Sequence, residues 1–179
     1  MNRIVKITGI VVISLSVIGY FLFTYLMEET KKHSPLEVIE YSDGNTLVEV
    51  SYCRPFKKGR LIFGEEADGA LQPWGNYWRL GANEATTLKT NQDIKLAGHE
   101  LKAGIYSFYA FPGKDSWEFG LNNDTGQWGY AEPNYSNDVL RFKVPVEYLS
   151  SPVEQFTMMF EEGQLVLRWD TSEVKIDIE

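Results

Sequence analysis

The feature that most constrains this chain is a long apolar run close to its N-terminus. Residues 7–27 contain no Asp, Glu, Lys or Arg. A helix rises about 1.5 Å per residue, so a helical run of this length matches the roughly 30 Å hydrocarbon core of a bilayer. We therefore expect a transmembrane helix at 7–27, with a short tail at 1–6 before it and a tether at 28–35 after it.

A cleaved secretion signal is the competing interpretation of this run. Residues 14–16 have the small-x-small spacing of a cleavage site, but apolar residues continue from 17 to 22. Cleavage there would leave a new apolar terminus, so the sequence favours an uncleaved anchor. Arg3 and Lys6 favour retention of the short N-terminal side in the cytoplasm. We expect a single-pass membrane protein whose C-terminal domain is extracytoplasmic.

The charge distribution argues against nucleic acid as a partner. All 25 acidic residues and all but two of the 17 basic residues follow Met27, so the part beyond the apolar run is strongly acidic. Nucleic acid phosphates bind to basic protein surfaces, and a strongly acidic domain is unfavourable for such binding. The single cysteine, Cys53, cannot form an intramolecular disulfide, so the domain depends on its own packing.

Histidine is too scarce in this chain for a histidine-rich metal centre. The two histidines are His33 in the tether and His99 in a predicted turn, so no zinc or iron site is expected. The polar turn at 122–126 offers oxygen atoms but lacks the spacing of acids that a calcium loop shows. Cys53 has no histidine placed to activate it as a nucleophile. We expect no metal and no cofactor.

Beyond residue 36, apolar and polar residues alternate, and Gly, Asn, Asp and Pro interrupt the alternation. This pattern is typical of half-buried strands joined by turns. At 139–146, Leu140, Phe142 and Val144 would point inward, and Pro145 suggests an edge or a bulge because it lacks a ladder donor. Further candidate strands lie at 47–53, 61–63, 86–90, 94–96, 105–111, 117–121, 154–160, 165–169 and 174–178.

The spacing of these segments predicts the fold class and one local pairing. About nine or ten short strands separated by turns favour an all-β domain at 36–179, an antiparallel β-sandwich or jelly-roll. The tight turn at 97–100 is predicted to make 94–96 and 105–111 antiparallel neighbours. The whole chain is then one membrane helix followed by one β domain.

Two segments concentrate residue types that bind ligands. Tyr77–Thr86 (YWRLGANEAT) sets an arginine among aromatic neighbours and ends with an amide and an acid. An Arg79–Glu84 ion pair that locks this corner is the first interpretation, since a buried guanidinium needs an acidic partner. The basic segment 54–60 could meet an anionic surface, or form only a solvated turn. The candidate ligand-binding residues are Arg54, Arg60, Trp74, Trp78, Arg79, Asn83 and Glu84.

Four motifs in this chain resemble those of a known family. They are RPFKKGRLIFG at 54–64, PWGNYWRLGANEAT at 73–86, LKAGIYSF at 101–108 and DTGQWG at 124–129. With these motifs the chain resembles the uncharacterised family catalogued as domain of unknown function 2911, from about Pro35 to the C-terminus. The resemblance implies an exported, mostly β domain, and it carries over no activity and no catalytic residues.

Three functions remain open at this point. The leading hypothesis is a membrane-anchored extracytoplasmic binding module that holds a polar ligand, a glycan or a peptide, on one face or rim of the domain. The first alternative is a hydrolase with Glu84 as general acid or base, which as a glycosidase would need a second carboxylate about 5 to 10 Å away. The second alternative is a structural envelope protein that binds no small ligand.

Overall fold

The computed structural model describes residues 3–128 and 131–179, with side chains from residue 7 onward. The chain divides into two compact units, a helical unit that ends at His33 and a globular unit at Ser34–Glu179. The helical unit is one helix, α1 (Arg3–His33). Within the described residues, Ile7–His33 is long and apolar enough to cross a membrane.

Helix α1 does not end where the apolar run ends. It continues through the polar residues 28–33, so only Ser34 and Pro35 separate it from the first strand. Glu29 and Lys32 form an ion pair one turn apart, and the last turn is basic. Both features stabilise a helix C-terminus, because cations there offset the helix dipole. Most of the segment expected to be a tether is therefore helical.

The globular unit is built of strands. They are β1 (Leu36–Asp43), β2 (Thr46–Cys53), β3 (Phe63–Gly64), β4 (Gln72–Pro73), β5 (Thr87–Thr90), β6 (Ile94–Leu96), β7 (His99–Leu101), β8 (Gly104–Phe111), β9 (Ser116–Asn122), β10 (Asp138–Pro145), β11 (Glu147–Glu161) and β12 (Gln164–Asp177). Six of them form one antiparallel sheet in the order β1-β2-β5-β8-β9-β10, and β11 pairs with β12 as a long hairpin. The predicted all-β antiparallel fold is confirmed.

The two faces of the six-stranded sheet differ sharply. On β9, Trp117, Phe119 and Leu121 are almost completely buried and face the hydrophobic core, and this side is called the inner face. The hairpin β11–β12 contributes Phe156 and Trp169 to the same core. A hairpin that packs on one face of a sheet is consistent with the predicted sandwich.

One predicted strand pairing is wrong. Strand β6 pairs with β7, which begins at His99, and not with the strand at 105–111. Ala97 and Gly98 both have positive φ, at 49° and 77°, as a two-residue type I′ hairpin turn requires. One edge of β6 therefore pairs with β7 and the other with the C-terminal residues, where Leu96 bridges Ile178, so β8 pairs with β5 and β9 instead.

Two further predictions concern Pro145 and the interruption between two predicted strands. Strand β10 is an edge strand of the sheet and ends at Pro145, as its missing backbone donor predicted.

The segments expected as separate strands at 165–169 and 174–178 are one strand, β12. Asp170 lies within it at φ 52°, beside a register shift opposite Val153. A local bulge therefore allows one strand to continue through residues 170–173, which lie between the two predicted strands.

The second face of the sheet, called the outer face, positions the candidate site. The register places Ser51, Thr87, Ser107 and Asn122 side by side on β2, β5, β8 and β9. Because side chains alternate along each strand, these polar residues point away from the inner face. Ser107 and Asn122 are nevertheless buried, at 4% and 0% exposure, so other parts of the chain cover this side.

Candidate functional site

The basic segment 54–60 is committed to bonds within the domain. Arg54 donates through Nη1 to Glu37 Oε1 at 3.0 Å, through Nε to Phe156 O at 3.2 Å, and through Nη2 to Thr157 Oγ1 at 2.9 Å. One guanidinium thus links β1, β2 and β11. Bonds in which the donor is charged are among the stronger ones in proteins. Arg54 acts as an internal lock, and the donors that an anionic ligand would need are already in use.

The rest of the basic segment also folds back on the protein. Arg60 donates to the backbone carbonyls of Lys57 and Phe56, at 2.9 Å and 2.5 Å, and so closes its own turn. Lys57 forms an ion pair with Asp170 at the irregular point of β12. This arrangement favours the interpretation of 54–60 as a structural turn over that of a free cationic patch.

Trp78 and Trp74 belong to the core and its margin. Trp78 is 5% exposed, and its ring centroid lies 4.9 Å from that of Phe156 and 5.7 Å from that of Trp169. Its Nε1 donates to Gly81 O at 3.2 Å, so its one polar atom is satisfied. Trp74 stacks on Phe63 with the centroids 6.0 Å apart. The ring of Trp78 is enclosed and offers no face to a ligand.

Asn83, Glu84 and Cys53 meet at the end of β2. Asn83 is 7% exposed, has φ 57°, and donates to Ser34 O at 3.4 Å. Its left-handed backbone turns the chain so that Glu84 Oε2 accepts from Cys53 Sγ at 3.3 Å. Burial, helped by this hydrogen bond, raises the pKa of Cys53 to about 11. At neutral pH the sulfur is therefore a neutral thiol, which is a much weaker nucleophile than a thiolate.

The Arg79–Glu84 ion pair stays a prediction. Arg79 Nε and Nη1 are buried, and the charge of Arg79 acts on the hydroxyl of Tyr77. Burial raises the pKa of Tyr77 to about 12, Arg79 opposes that rise, and Glu132 adds to it. The hydroxyl of Tyr77 is thus influenced electrostatically by Arg79 from its own loop and by Glu132 from the loop after β9.

Backbone contacts join these two loops. Glu84 and Trp128 form an isolated antiparallel bridge, and Ala85 N donates to Gln127 O at 3.1 Å. Residues opposite each other in such a bridge project to the same side, with Cβ atoms about 4.5–5.5 Å apart. Trp128 keeps 42% of its surface exposed, whereas Gln127 Oε1 is buried without a hydrogen-bond partner. We define the outer-face site by Tyr77, Arg79, Glu84, Gln127, Trp128 and Glu132.

An aromatic group lies beside the outer-face site. Tyr109 contacts Tyr77, Phe111 and Tyr135, with ring centroids 5.5–5.8 Å apart. The guanidinium of Arg141 lies over three of these rings, 4.9 Å from the centroid of Tyr135 and 5.4 Å from that of Phe111. Cations are attracted to ring faces at such distances. The aromatic group therefore ties the loop of Tyr77 and the loop of Tyr135 to β8 and β10.

Of the residues that the sequence analysis singled out, Arg79 and Glu84 belong to the outer-face site as defined here, and Asn83 precedes Glu84 in the same loop. Glu132, Tyr109 and Arg141 were not predicted as site residues. The available signal was the alternation on β8, where Tyr109 points away from the face that carries Phe108. The partners of these residues lie far along the chain, so local patterns do not reveal them. Among the described residues, no three or more His, Cys, Asp or Glu side chains are grouped to hold a metal ion.

The fold and the site together define a class of protein: a mostly antiparallel β domain that follows one apolar helix and carries a polar and aromatic site on its outer sheet face. Residues 34–178 match the family described as "protein of unknown function (DUF2911)", and the chain belongs to this family. The resemblance seen in the motifs is thereby confirmed. No curated protein and no solved structure matches the chain.

Proposed function

We propose that this protein is a membrane-anchored extracytoplasmic binding module that holds a glycan at the outer-face site. The observation that carries the proposal is the Glu84–Trp128 bridge, which sets an exposed indole beside a carboxylate. Small-ligand sites in proteins combine apolar ring surface with a few fixed polar groups, and this pair supplies both.

Two kinds of group at the site suit a sugar. The indole of Trp128 offers a flat apolar face with a polar edge, on which the apolar face of a pyranose packs. The carboxylate of Glu84 is an acceptor for sugar hydroxyls.

The setting of the domain supports the proposal. Helix α1 is of the length and apolarity that cross a membrane, and the acidic domain follows it after two residues. On this proposal α1 is retained as an anchor and the domain lies on the extracytoplasmic side. A receptor held there would meet envelope glycans at high local concentration.

The test is a binding screen with the full chain in detergent micelles, against a glycan array and soluble peptidoglycan fragments. Trp128→Ala and Glu84→Gln should each weaken binding about tenfold or more, the equivalent of roughly 1.4 kcal/mol. The matched control is Tyr148→Ala, because Tyr148 is also exposed, at 55%, but lies outside the site.

Each other result has a definite meaning. Equal binding by Trp128→Ala and wild type would refute this site. Binding of peptides but not of glycans would replace the ligand class. Cleavage of a bound glycan that stops in Glu84→Gln would support the hydrolase, and no binding by wild type would favour a structural envelope protein.

A further inference from the structure

The loop between β9 and β10, called here the 123–137 loop, carries Gln127, Trp128, Glu132 and Tyr135, and its two ends are closed on each other. Asn123 N donates to Asn137 O at 3.1 Å, and Asn137 Nδ2 donates to the carboxylate of Asp124 at 3.0 Å. Surface loops whose two ends meet are frequently functional. The loop is described here at 123–128 and 131–137.

The buried side chain of Asn122 stabilises the closure of the two loop ends. Asn122 is 0% exposed, and its Oδ1 accepts from Asp124 N at 2.7 Å. Its Nδ2 donates to Asn134 O at 2.9 Å and to Asp138 Oδ1 at 2.7 Å. One amide thus binds the beginning of the loop, its end and the first residue of β10. A buried polar group with this many partners fixes one geometry, because an alternative would leave donors or acceptors unpaired.

A second set of contacts joins the end of the loop to strands β8 and β10. Asp138 also accepts from Tyr109 Oη at 2.8 Å and from Arg141 Nε at 2.7 Å. The guanidinium of Arg141 also lies over the ring of Tyr135, which belongs to the loop. It forms an ion pair with Glu118 at 3.0 Å. Strands β8, β9 and β10 therefore form a rigid support for a loop that reaches the outer-face site.

We propose that the described residues of the 123–137 loop are the specificity-determining element of the outer-face site, and that Asn122 is its positioning residue. This inference rests on the proposed function. Trp128 and Glu132 are exposed side chains presented on a rigid frame, which is how binding proteins place contact residues. Asn122 itself touches no ligand and acts through the position of the loop.

The first measurement is hydrogen exchange of the full chain in micelles, which needs no ligand. In Asn122→Ala, the amides of Asn123 and Asp124 should exchange about ten to a hundred times faster, while core amides of β8 keep most of their protection. Asn91→Ala is the matched control, because Asn91 makes the same kind of clasp, to Leu47 N and Asn45 O, at another turn.

The second measurement is binding of soluble peptidoglycan fragments. Asn122→Ala should weaken it about tenfold, and Asn91→Ala should leave it unchanged. If Asn122→Ala does not fold, Asn137→Ala replaces it, since Asn137 is exposed and its loss opens only the closure at Asp124.

Each contrary result overturns a different claim. Wild-type exchange rates in the loop of Asn122→Ala, or equal acceleration of loop and core, would overturn the positioning role. A loosened loop with unchanged fragment binding would overturn the specificity role and leave the proposed function standing. A wild-type protein that binds neither these fragments nor any glycan of the array would overturn both.

Discussion

Trp78 distinguishes a packing role from a ligand role for the motif at 77–86. The substitution Trp78→Ala removes an indole that is 5% exposed and that meets the rings of Phe156, Phe63, Trp117 and Trp169 at 4.9–5.7 Å. Replacing a buried Trp by Ala costs about 3–5 kcal/mol. For a domain of this size about 1 kcal/mol corresponds to roughly 2–4 °C in Tm, so we expect a fall of about 6–20 °C.

The assay is thermal unfolding of the full chain in micelles, followed by near-ultraviolet circular dichroism of the aromatic core. Trp128→Ala is the matched control, because its indole is 42% exposed and its loss should shift Tm by less than about 2 °C. Trp78→Phe keeps a ring but loses the bond to Gly81 O, so its Tm should fall between those of wild type and Trp78→Ala. If Trp78→Ala does not fold, Trp78→Phe supplies the measurement. A Tm within about 2 °C of wild type for both Trp78 variants would refute the packing role.

Two further predictions follow from close contacts on the outer face. The thiol of Cys53 is buried, and this burial is the main reason that its pKa is raised to about 11. The ultraviolet absorbance of its thiolate, measured as the difference from Cys53→Ala, should therefore be absent at pH 8 and appear as the pH approaches about 11. Glu84→Gln removes a carboxylate that raises this pKa, so the titration should move to lower pH, and an unmoved titration would contradict the Cys53–Glu84 bond. Gly120→Ala would place a Cβ 2.2 Å from Tyr109 Cζ, so unfolding in urea should show a loss of about 1–3 kcal/mol. The loss should shrink in a Tyr109→Leu background, and an equal loss in both backgrounds would show that the ring is not its cause.

Much of the fold could be predicted because its signals are local. The alternation at 139–146 assigns inward and outward residues correctly, and Pro145 correctly marks an edge strand. The pairing of β6 was wrong because the turn at Ala97 and Gly98 closes a shorter hairpin than the one expected.

The candidate site was less predictable because its contacts join distant parts of the chain. Arg54 was expected to be available to a ligand, but it bonds to Thr157 on a strand about a hundred residues further on. The thiol of Cys53 donates to the carboxylate of Glu84, a contact between residues 31 positions apart that the local sequence did not indicate. A charged side chain finds its partner through strand register, and register depends on which strands are neighbours.

The sequence by itself determined that this chain has one apolar helix of membrane-spanning length, that a β domain follows it, and that the family motifs lie in that domain. These properties depend on residue type and on a period of two, both of which are visible over a few residues. Only the tertiary structure decided that Trp78 packs in the core and that Arg54 joins distant strands. It also decided that Trp128 lies opposite Glu84 and that the charge of Glu132 acts on Tyr77. The reason is that burial and electrostatic contact are properties of neighbours in space, and the neighbours here come from strands and loops far apart in the chain.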